Sequence, residues 1–314
     1  MAAAPTTLRE TTFRNGEIAI AAQLHLPPDF DQDRVWPAIV LSTPGNSVKE
    51  QVGTIYARKL AARGFVAIAF DPSHQGASGG AARDLEDPGA RVEDLRCAVD
   101  HLVTLPFVDE ARIAVLGICA GGGYAVNAAL TEHRFKVVAT VAGTDVGRAF
   151  RRMLPGERMH ARLAEVGRAR TAAARGAAER RERWIPDSLD AAGAEGITDR
   201  DLLEAIRFHR ESPHRHPNAS NRLLLRSVGP MLGFDGFHLV PDLLVQPLMV
   251  IVAGRQGSTC QYETGQALYG LARGPDKALV VIPGAGHYDL YHRDEHIDPA
   301  IERLAPFFHF HLDP

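Results

Sequence analysis

The first segment of the chain alternates apolar and polar residues in the order that a half-buried β-strand requires. In TTFRNGEIAIAAQLHLP the alternation lies on both sides of Asn15-Gly16, and Asn-Gly is the strongest short-range signal for a β-hairpin. We therefore predict an antiparallel hairpin over residues 10–26. This hairpin is expected to form one edge of a sheet.

Further along, the apolar residues come in short, nearly continuous runs rich in β-branched side chains. Such runs are typical of strands buried on both faces of a parallel sheet. Helical patterns separate most of them, at residues 50–63, 92–105 and 122–131. This alternation predicts a doubly wound, mostly parallel α/β sheet. Its predicted strands are residues 37–43, 65–70, 112–117, 136–143, 247–254 and 277–283.

The chain between strands 136–143 and 247–254 is roughly a hundred residues long, far more than usually connects neighbouring elements. Residues 148–183 in this stretch contain eleven Arg and four Glu, a net charge of +7, in a helix-favouring composition. We interpret the stretch as an inserted helical cap. Its charge fits either a solvated helix face or a docking surface for an anionic substrate arm or an acidic carrier protein.

The predicted cap divides the chain into three parts. They are an N-terminal part of the core at residues 1–144, the cap at 145–232 and a C-terminal part of the core at 233–314.

The composition of the chain argues against some classes of function. The 314 residues carry 35 basic and 38 acidic side chains, a net charge of −3, which does not favour a nucleic-acid binder. The chain shows no secretory leader and no run of about 18 apolar residues, so we expect a cytoplasmic protein without a membrane partner.

The sequence contains no clear motif for binding a cofactor or a metal ion. The cysteines Cys97, Cys119 and Cys260 are too few and too far apart for a disulfide framework or a zinc site, and we expect reduced thiols. The His-rich loop at 213–217 lacks a partner cluster, so no metal site is predicted. No GxGxxG or Walker A pattern follows an early strand, and no cofactor is predicted.

The sharpest chemical motif is Gly117-Ile-Cys119-Ala120-Gly121, between a predicted buried strand and a predicted helix. It has the G-x-C-x-G form of a nucleophile elbow, in which small residues permit a tight strand-to-helix turn with the nucleophile at its apex. The helix N-terminus favours the Cys119 thiolate, and the Ala120 amide is placed to stabilise an oxyanion.

A nucleophile needs a base, and His287 follows the last predicted strand in Gly284-Ala-Gly-His287. A histidine in this position can reach over the elbow. A second oxyanion donor is expected from the loop after the first parallel strand, where we nominate Gly45 and Asn46.

Taken together, the motifs STPGNSVKEQ, AFDPSHQGASGG, GICAGGGYA, FDGFHLVPDLL and GAGHYDLY resemble the dienelactone-hydrolase-like branch of the α/β-hydrolases. Within that branch the chain is similar to the group of fungal polyketide transferases and thiohydrolases. The resemblance covers nearly all of the chain outside the cap, and it implies an α/β-hydrolase sheet and acyl transfer or hydrolysis. The chain departs from relatives at Thr43, where they often have His, and at Ser258, where they often have an acid.

The sequence therefore leaves the identity of the triad acid undecided. Asp235 belongs to the shared FDGF motif and is our first candidate; Asp145, after strand 136–143, is the alternative, and Glu263 lies farther into a helix. A thiolate stabilised by the helix N-terminus depends less on base activation than a serine alkoxide does, so catalysis need not require this acid.

We therefore expect a cofactor-independent acyl hydrolase or acyltransferase that uses Cys119 to attack an ester, lactone or thioester of a small-molecule substrate. The resemblance implies a polyketide-like metabolite as one candidate substrate, and an acyl-carrier protein or coenzyme A thioester is one candidate form of the acyl donor. Two alternatives stay open: a non-covalent cyclase or isomerase, and a catalytically silent binding protein of the same fold. Fold-level analogy also allows a homodimer.

Overall fold

The computed structural model describes residues 6–313. Its strands are β1 (Thr7–Asn15), β2 (Ile18–Leu26), β3 (Trp36–Ser42), β4 (Val66–Phe70), β5 (Val108–Ile118), β6 (Phe135–Val141), β7 (Arg181–Arg183), β8 (Arg222–Leu224), β9 (Leu248–Ala253) and β10 (Lys277–Ile282). Its α-helices are α1 (Thr54–Ala61), α2 (Pro88–Leu102), α3 (Ala120–Ala129), α4 (Val146–Met153), α5 (Glu157–Ala174), α6 (Leu189–Ala194), α7 (Arg200–Ile206), α8 (Val228–Gly233), α9 (Val240–Leu243), α10 (Gln261–Leu271), α11 (Asp289–His292) and α12 (Asp294–Leu312).

An eight-stranded sheet of order β1-β2-β4-β3-β5-β6-β9-β10 forms the centre of the molecule. From β4 to β10 all pairings are parallel, whereas β1 pairs antiparallel with β2 and β2 with β4. The predicted doubly wound, mostly parallel sheet is confirmed. So is the hairpin at its edge, although the turn is one residue later than predicted: Asn15 pairs with Ile18, so Gly16 and Glu17 form the turn.

Apolar side chains fill both faces of this sheet. Leu95, Tyr124 and Leu268 from α2, α3 and α10 pack on one face. On the other face α1 and α12 contribute residues such as Leu60 and Leu304. Helices on both faces explain why the parallel strands are apolar on both sides rather than alternating.

The order of the strands places a crevice beside β3. The chain passes from β3 to β4 on one side and then returns to β5 on the other side of β3. Loops after β3 and β5 therefore diverge at the carboxyl edge of the sheet, which is where open α/β sheets bind their ligands. The predicted elbow and the predicted oxyanion loop both lie at this edge.

Between β6 and β9 the chain forms α4 to α9 and a small antiparallel pair, β7 with β8, which the sequence patterns did not predict. Several arginines of the basic stretch are paired in ion pairs: Arg162 and Arg180 contact both Glu165 and Glu182. These two glutamates are already counted in the net charge of +7. Arg181 and Arg183 are paired with Asp84 and Glu195 outside the stretch, and these pairs neutralise part of that charge.

Within residues 6–313, none of the helices has the length and apolar character needed to cross a membrane.

Candidate active site

Cys119 lies at the turn between β5 and α3. Its backbone has φ 54° and ψ −126°, a conformation that costs free energy in any residue with a side chain. The strain is held by the surrounding backbone: the Cys119 amide donates to Val141 O at 3.2 Å, and its carbonyl accepts from Thr144 N at 2.8 Å. The thiol is thereby fixed at the N-terminus of α3.

The glycines on each side of Cys119 leave room for this turn. A Cβ on Gly117 would lie 2.5 Å from Cα of Gly122. A Cβ on Gly121 would overlap the carbonyl oxygen of Ser42, at the end of β3. The G-x-C-x-G spacing therefore reflects close backbone packing at both glycine positions.

The Cys119 thiol is half-buried and acidic. Burial by itself raises the pKa, but the positive charge of protonated His287 and hydrogen bonds from His287, Tyr291 and the Ala120 amide outweigh it and lower the pKa to about 7. By contrast, burial and nearby carboxylates raise the pKa of Cys97 to about 11, and burial raises that of Cys260. Cys119 is thus the thiol suited to act as a nucleophile near neutral pH.

His287 follows β10 and is buried, with 1% of its surface exposed. Its Nε2 lies 2.9 Å from the hydroxyl oxygen of Tyr291, four positions further along the chain. Burial and the negative charge of Cys119 raise the pKa of Tyr291 well above its ordinary value, so its hydroxyl keeps its proton. Tyr291 therefore accompanies His287 at the thiol.

The loop that carries His287 is tied to the cap. Asp289 accepts a hydrogen bond from the Gly286 amide at 2.8 Å and lies 3.2 Å from Arg255. The same arginine donates to Glu204 of α7 at 2.6 Å. This chain of contacts couples the position of His287 to the inserted helices.

Neither predicted acid supports His287. Asp235 is exposed, and its carboxylate accepts from the Phe237 amide at 3.1 Å. Asp145 is buried as the N-cap of α4, where it accepts from Arg148 N and Gly236 N, each at 2.6 Å. Their carboxylates are committed to these backbone amides, as short acidic side chains at turns and caps usually are.

The second imidazole nitrogen of His287, Nδ1, is where the acid of a catalytic triad would bind. Within the described residues, Nδ1 is buried and has no hydrogen-bond partner. Ser258, at the position where relatives often have an acid, instead donates to Asp199 of the cap at 2.7 Å. The structure therefore shows a Cys–His pair with a tyrosine, and no acid hydrogen-bonded to the histidine among residues 6–313.

The loop after β3 has the shape expected of an oxyanion loop. Asn46 is buried and has φ 57°, which turns the backbone sharply after Gly45. The indole of Trp184 from the cap covers this loop, and a Cβ on Gly45 would lie 2.9 Å from it. Glycine at position 45 therefore permits the close approach of the cap.

A buried arginine holds this loop from below. Arg91 of α2 donates to the carbonyl of Thr43 at 2.6 Å and to that of Pro44 at 3.2 Å. Its Nε lies 3.2 Å from Glu86, which also accepts from the hydroxyl of Tyr124 at 2.7 Å. Arg91 thus fixes the carbonyls of the loop, and with them the direction of the amides that follow.

The structure brings the predicted residues Cys119 and His287 together, but the sequence patterns did not predict the side chains around them. Tyr291 lies four positions after His287, but His287 precedes α11, so the path of the loop brings the two side chains together. For Arg91 and Trp184, only the fold brings α2 and the cap to the loop after β3.

A strained thiol at a strand-to-helix turn, facing a histidine that follows the last strand of a parallel sheet, has the arrangement of a nucleophile elbow. The model of the alpha/beta hydrolase family matches residues 20–300. The chain therefore belongs to this family and is an enzyme of it, which confirms the resemblance read from the motifs.

Individual proteins are also similar to this chain over most of its length. The uncharacterized protein YcjY of Escherichia coli K12 is 36% identical over 299 residues, which cover 95% of this chain and 96% of that protein. The crystal structure of hypothetical protein PA2218 from Pseudomonas aeruginosa has a TM-score of 0.88 and 32% identity, covering 98% of this chain and 95% of that chain. The polyketide transferase claH of Penicillium crustosum is 26% identical over 257 residues, 81% of each chain.

The pKa of Cys119 leads to a first prediction. Alkylation of this thiol by iodoacetamide, followed residue by residue by mass spectrometry, should increase with pH through a midpoint near 7, because the thiolate is the reactive form. Cys97 should react only at much higher pH. The variant His287→Ala removes the charge that offsets burial, so the midpoint should move above the ordinary thiol value of about 8.5. Tyr291→Phe should move it upward by less.

The internal control is Cys97, whose profile should be the same in all three proteins. If the midpoint of Cys119 stayed near 7 in His287→Ala, the histidine would not be the group that stabilises the thiolate.

Proposed function

We propose that this protein is a cofactor-independent acyl hydrolase or acyltransferase that attacks an ester, lactone or thioester with Cys119. The observation that carries the proposal is a thiol with a pKa of about 7 at a nucleophile elbow, next to His287 and the Ala120 amide. Low-pKa thiols in such a setting act as nucleophiles on carbonyl carbon.

In the proposed first step the Cys119 sulfur forms a bond to the carbonyl carbon, and the carbonyl electrons move to oxygen. The Ala120 amide and an amide of Gly45 or Asn46 stabilise the resulting oxyanion. When the carbonyl re-forms, the bond to the leaving alcohol or thiol breaks, and protonated His287 supplies the proton that this group takes up. The product of the step is an acyl thioester on Cys119.

In the second step the acceptor, water or another nucleophile, gives its proton to His287 and attacks the acyl carbon. Collapse of the second oxyanion releases the product and restores the Cys119 thiolate. Thioesters react readily with amines, thiols and alcohols, so a cysteine nucleophile suits transfer as well as hydrolysis.

Tyr291 takes part in the proposed proton transfer. Its hydroxyl lies within hydrogen-bond distance of His287 Nε2 and also hydrogen-bonds the sulfur. When His287 is protonated, Nε2 donates to the tyrosine oxygen and the tyrosine donates to the thiolate. In this arrangement Tyr291 relays the proton between sulfur and imidazole. It also fixes the ring, whose Nδ1 has no partner in the described part of the chain.

The substrate class is proposed by analogy. The relative from Penicillium crustosum is named a polyketide transferase. We therefore propose a polyketide-like acyl group, presented as a thioester of coenzyme A or of an acyl-carrier protein.

Intact-protein mass spectrometry tests the proposal. The wild-type protein is exposed briefly to butyryl-N-acetylcysteamine and to p-nitrophenyl butyrate, then digested and mapped. We expect an acyl adduct on Cys119 and none on Cys97, whose raised pKa makes it a matched control within the same chain. The lifetime of the adduct in water against added amine, thiol and alcohol then separates a hydrolase from a transferase.

Turnover without an adduct, even after rapid quenching, would indicate the non-covalent cyclase or isomerase. No adduct and no turnover over a broad panel of acyl donors would indicate a binding protein.

A further inference from the structure

The cap contains a cavity of about 420 Å³ that the scheme above does not use. This size is sufficient for part of a small-molecule ligand. It is formed where the segment after α7 meets the loop that leads to β8. The side chains that line it include His209, Arg210, Arg215, His216, Ala219 and Ser220.

The lining is cationic. Arg215 is exposed and has no ion-pair partner in the described part of the chain. For Arg210, the nearest carboxylate is that of Asp187 at 3.8 Å, the outer limit of an ion pair, and its Nε is buried without a hydrogen-bond partner. His216 lies 3.8 Å from Glu50, a carboxylate already bound to Lys49 at 2.6 Å.

His209 forms the wall between this cavity and the catalytic histidine. Its side chain is 6% exposed, and its Nδ1 is buried with no partner among residues 6–313. The ring packs edge-on against the rings of Tyr288 and Tyr291, with centroids 6.3 and 6.4 Å away. Since Tyr291 contacts His287, one side of the cavity is two residues from the proposed base.

The other side of the cavity reaches toward the oxyanion loop. Ala219 and Ser220 also line a smaller cleft, together with Asn46, Ser47 and Asp84, and the Asp84 carboxylate accepts from the Ser220 hydroxyl at 2.7 Å. His209 and Tyr291 therefore separate the cationic cavity from His287, and the cavity shares Ala219 and Ser220 with the cleft that Asn46 lines.

We propose that this cavity binds an anionic group, a carboxylate or a phosphate, on the acyl donor that reacts with Cys119. The proposal rests on the acyl-transfer function above and specifies its substrate. Guanidinium groups bind carboxylates and phosphates through paired, charge-assisted hydrogen bonds, and two of them with few competing carboxylates are suited to this role. The anion can belong to either half of the donor, a dicarboxylic acyl group or the phosphates of coenzyme A.

Three acyl donors distinguish these sources: butyryl-N-acetylcysteamine, which is neutral, glutaryl-N-acetylcysteamine, with its charge on the acyl group, and butyryl-coenzyme A, with its charges on the thiol. They are compared on wild type, Arg215→Gln and the double variant Arg210→Gln/Arg215→Gln. Arg303→Gln, at an exposed position on α12, is the matched control.

We expect at least one anionic donor to exceed the neutral donor about tenfold in kcat/KM, the usual worth of a charge-assisted hydrogen bond. The double variant should lose about tenfold of this preference, mainly through a higher KM for the anionic donor. Arg215→Gln should lose part of it. The neutral donor should react equally with all four proteins. If neither anionic donor is preferred, or if the preference survives in the double variant, the proposal is wrong.

Direct binding separates this proposal from the acyl-transfer function. Titration calorimetry with sodium glutarate and with inorganic phosphate needs no chemistry at Cys119. Binding to wild type that is lost in the double variant would support the cavity even if no donor acylated the cysteine. If Cys119 is acylated but neither anion binds and no donor is preferred, only the cavity proposal fails. Thermal unfolding of each variant establishes that the fold is kept.

Discussion

Replacing Cys119 with alanine is expected to reduce the turnover of an activated ester or thioester at least about a thousand-fold. The variant keeps the oxyanion donors and the substrate pocket but removes the atom that forms the acyl intermediate. Enzymes that lose a covalent nucleophile typically retain only the small acceleration that comes from binding and oxyanion stabilisation. Steady-state hydrolysis of p-nitrophenyl butyrate, corrected for the uncatalysed reaction, measures the loss.

Two controls make this result specific to the elbow. Cys97→Ala removes the other half-buried thiol, whose pKa is raised to about 11, and should leave kcat/KM within about twofold. Cys119→Ser keeps the size of the side chain but replaces a weakly acidic thiol by a hydroxyl. Because His287 lacks an acid at Nδ1 among the described residues, the serine should be poorly activated and nearly as slow as the alanine variant. Full turnover in Cys119→Ala would instead favour the non-covalent cyclase or isomerase.

Within residues 6–313 no acid is hydrogen-bonded to His287, which is consistent with the proposed use of sulfur. A serine nucleophile must lose its proton to the histidine as it attacks, so the imidazolium that forms benefits from a carboxylate. Here the thiol has already shifted toward the thiolate, because the charge of His287 and the hydrogen bonds around Cys119 lower its pKa. The carboxylates of Asp145 and Asp235 can therefore serve structure at the start of α4 and in the turn after α8.

The parts of this site that the sequence predicts are those encoded locally. The elbow is a run of five residues between a strand and a helix. Gly117 is explained by packing against Gly121 and Gly122 in the same turn, whereas the contact of Gly121 with Ser42 depends on β3. His287 follows from its position after the last strand. The fold can likewise be predicted from local sequence patterns, because nearly continuous apolar strands alternate with helical patterns.

The parts that could not be predicted depend on contacts between distant segments. Arg91 and the Thr43 carbonyl are 48 residues apart, and only the packing of α2 against β3 brings them together. Trp184 reaches Gly45 from the cap, whose path over the core is not encoded in its composition. The acid was predicted from its position in a shared motif, but a short carboxylate at a turn satisfies nearby backbone amides first, and this decided the role of Asp235.

The second large effect is expected from Gly121→Ala, a change of one methyl group two residues from the nucleophile. The added Cβ would overlap the Ser42 carbonyl oxygen, 2.5 Å from the carbonyl carbon and 2.9 Å from the Thr43 oxygen. These are backbone atoms of a buried strand end and cannot rotate away. Helix α3 would have to move from β3, so we expect the free energy of unfolding to fall by about 3 kcal/mol.

Gly270→Ala is the matched control for this measurement by urea denaturation. Gly270 lies inside α10, and a Cβ there has no atom within 4 Å. Alanine is the better helix former, so this variant should gain about 0.5–1 kcal/mol, a change of opposite sign. Gly121→Ala should also lose activity under conditions where it is still folded, because any movement of α3 away from β3 separates Cys119 and the Ala120 amide from the oxyanion loop. A Gly121→Ala protein with wild-type stability and turnover would show that the elbow tolerates displacement, and that the close contact with Ser42 does not set the geometry of the site.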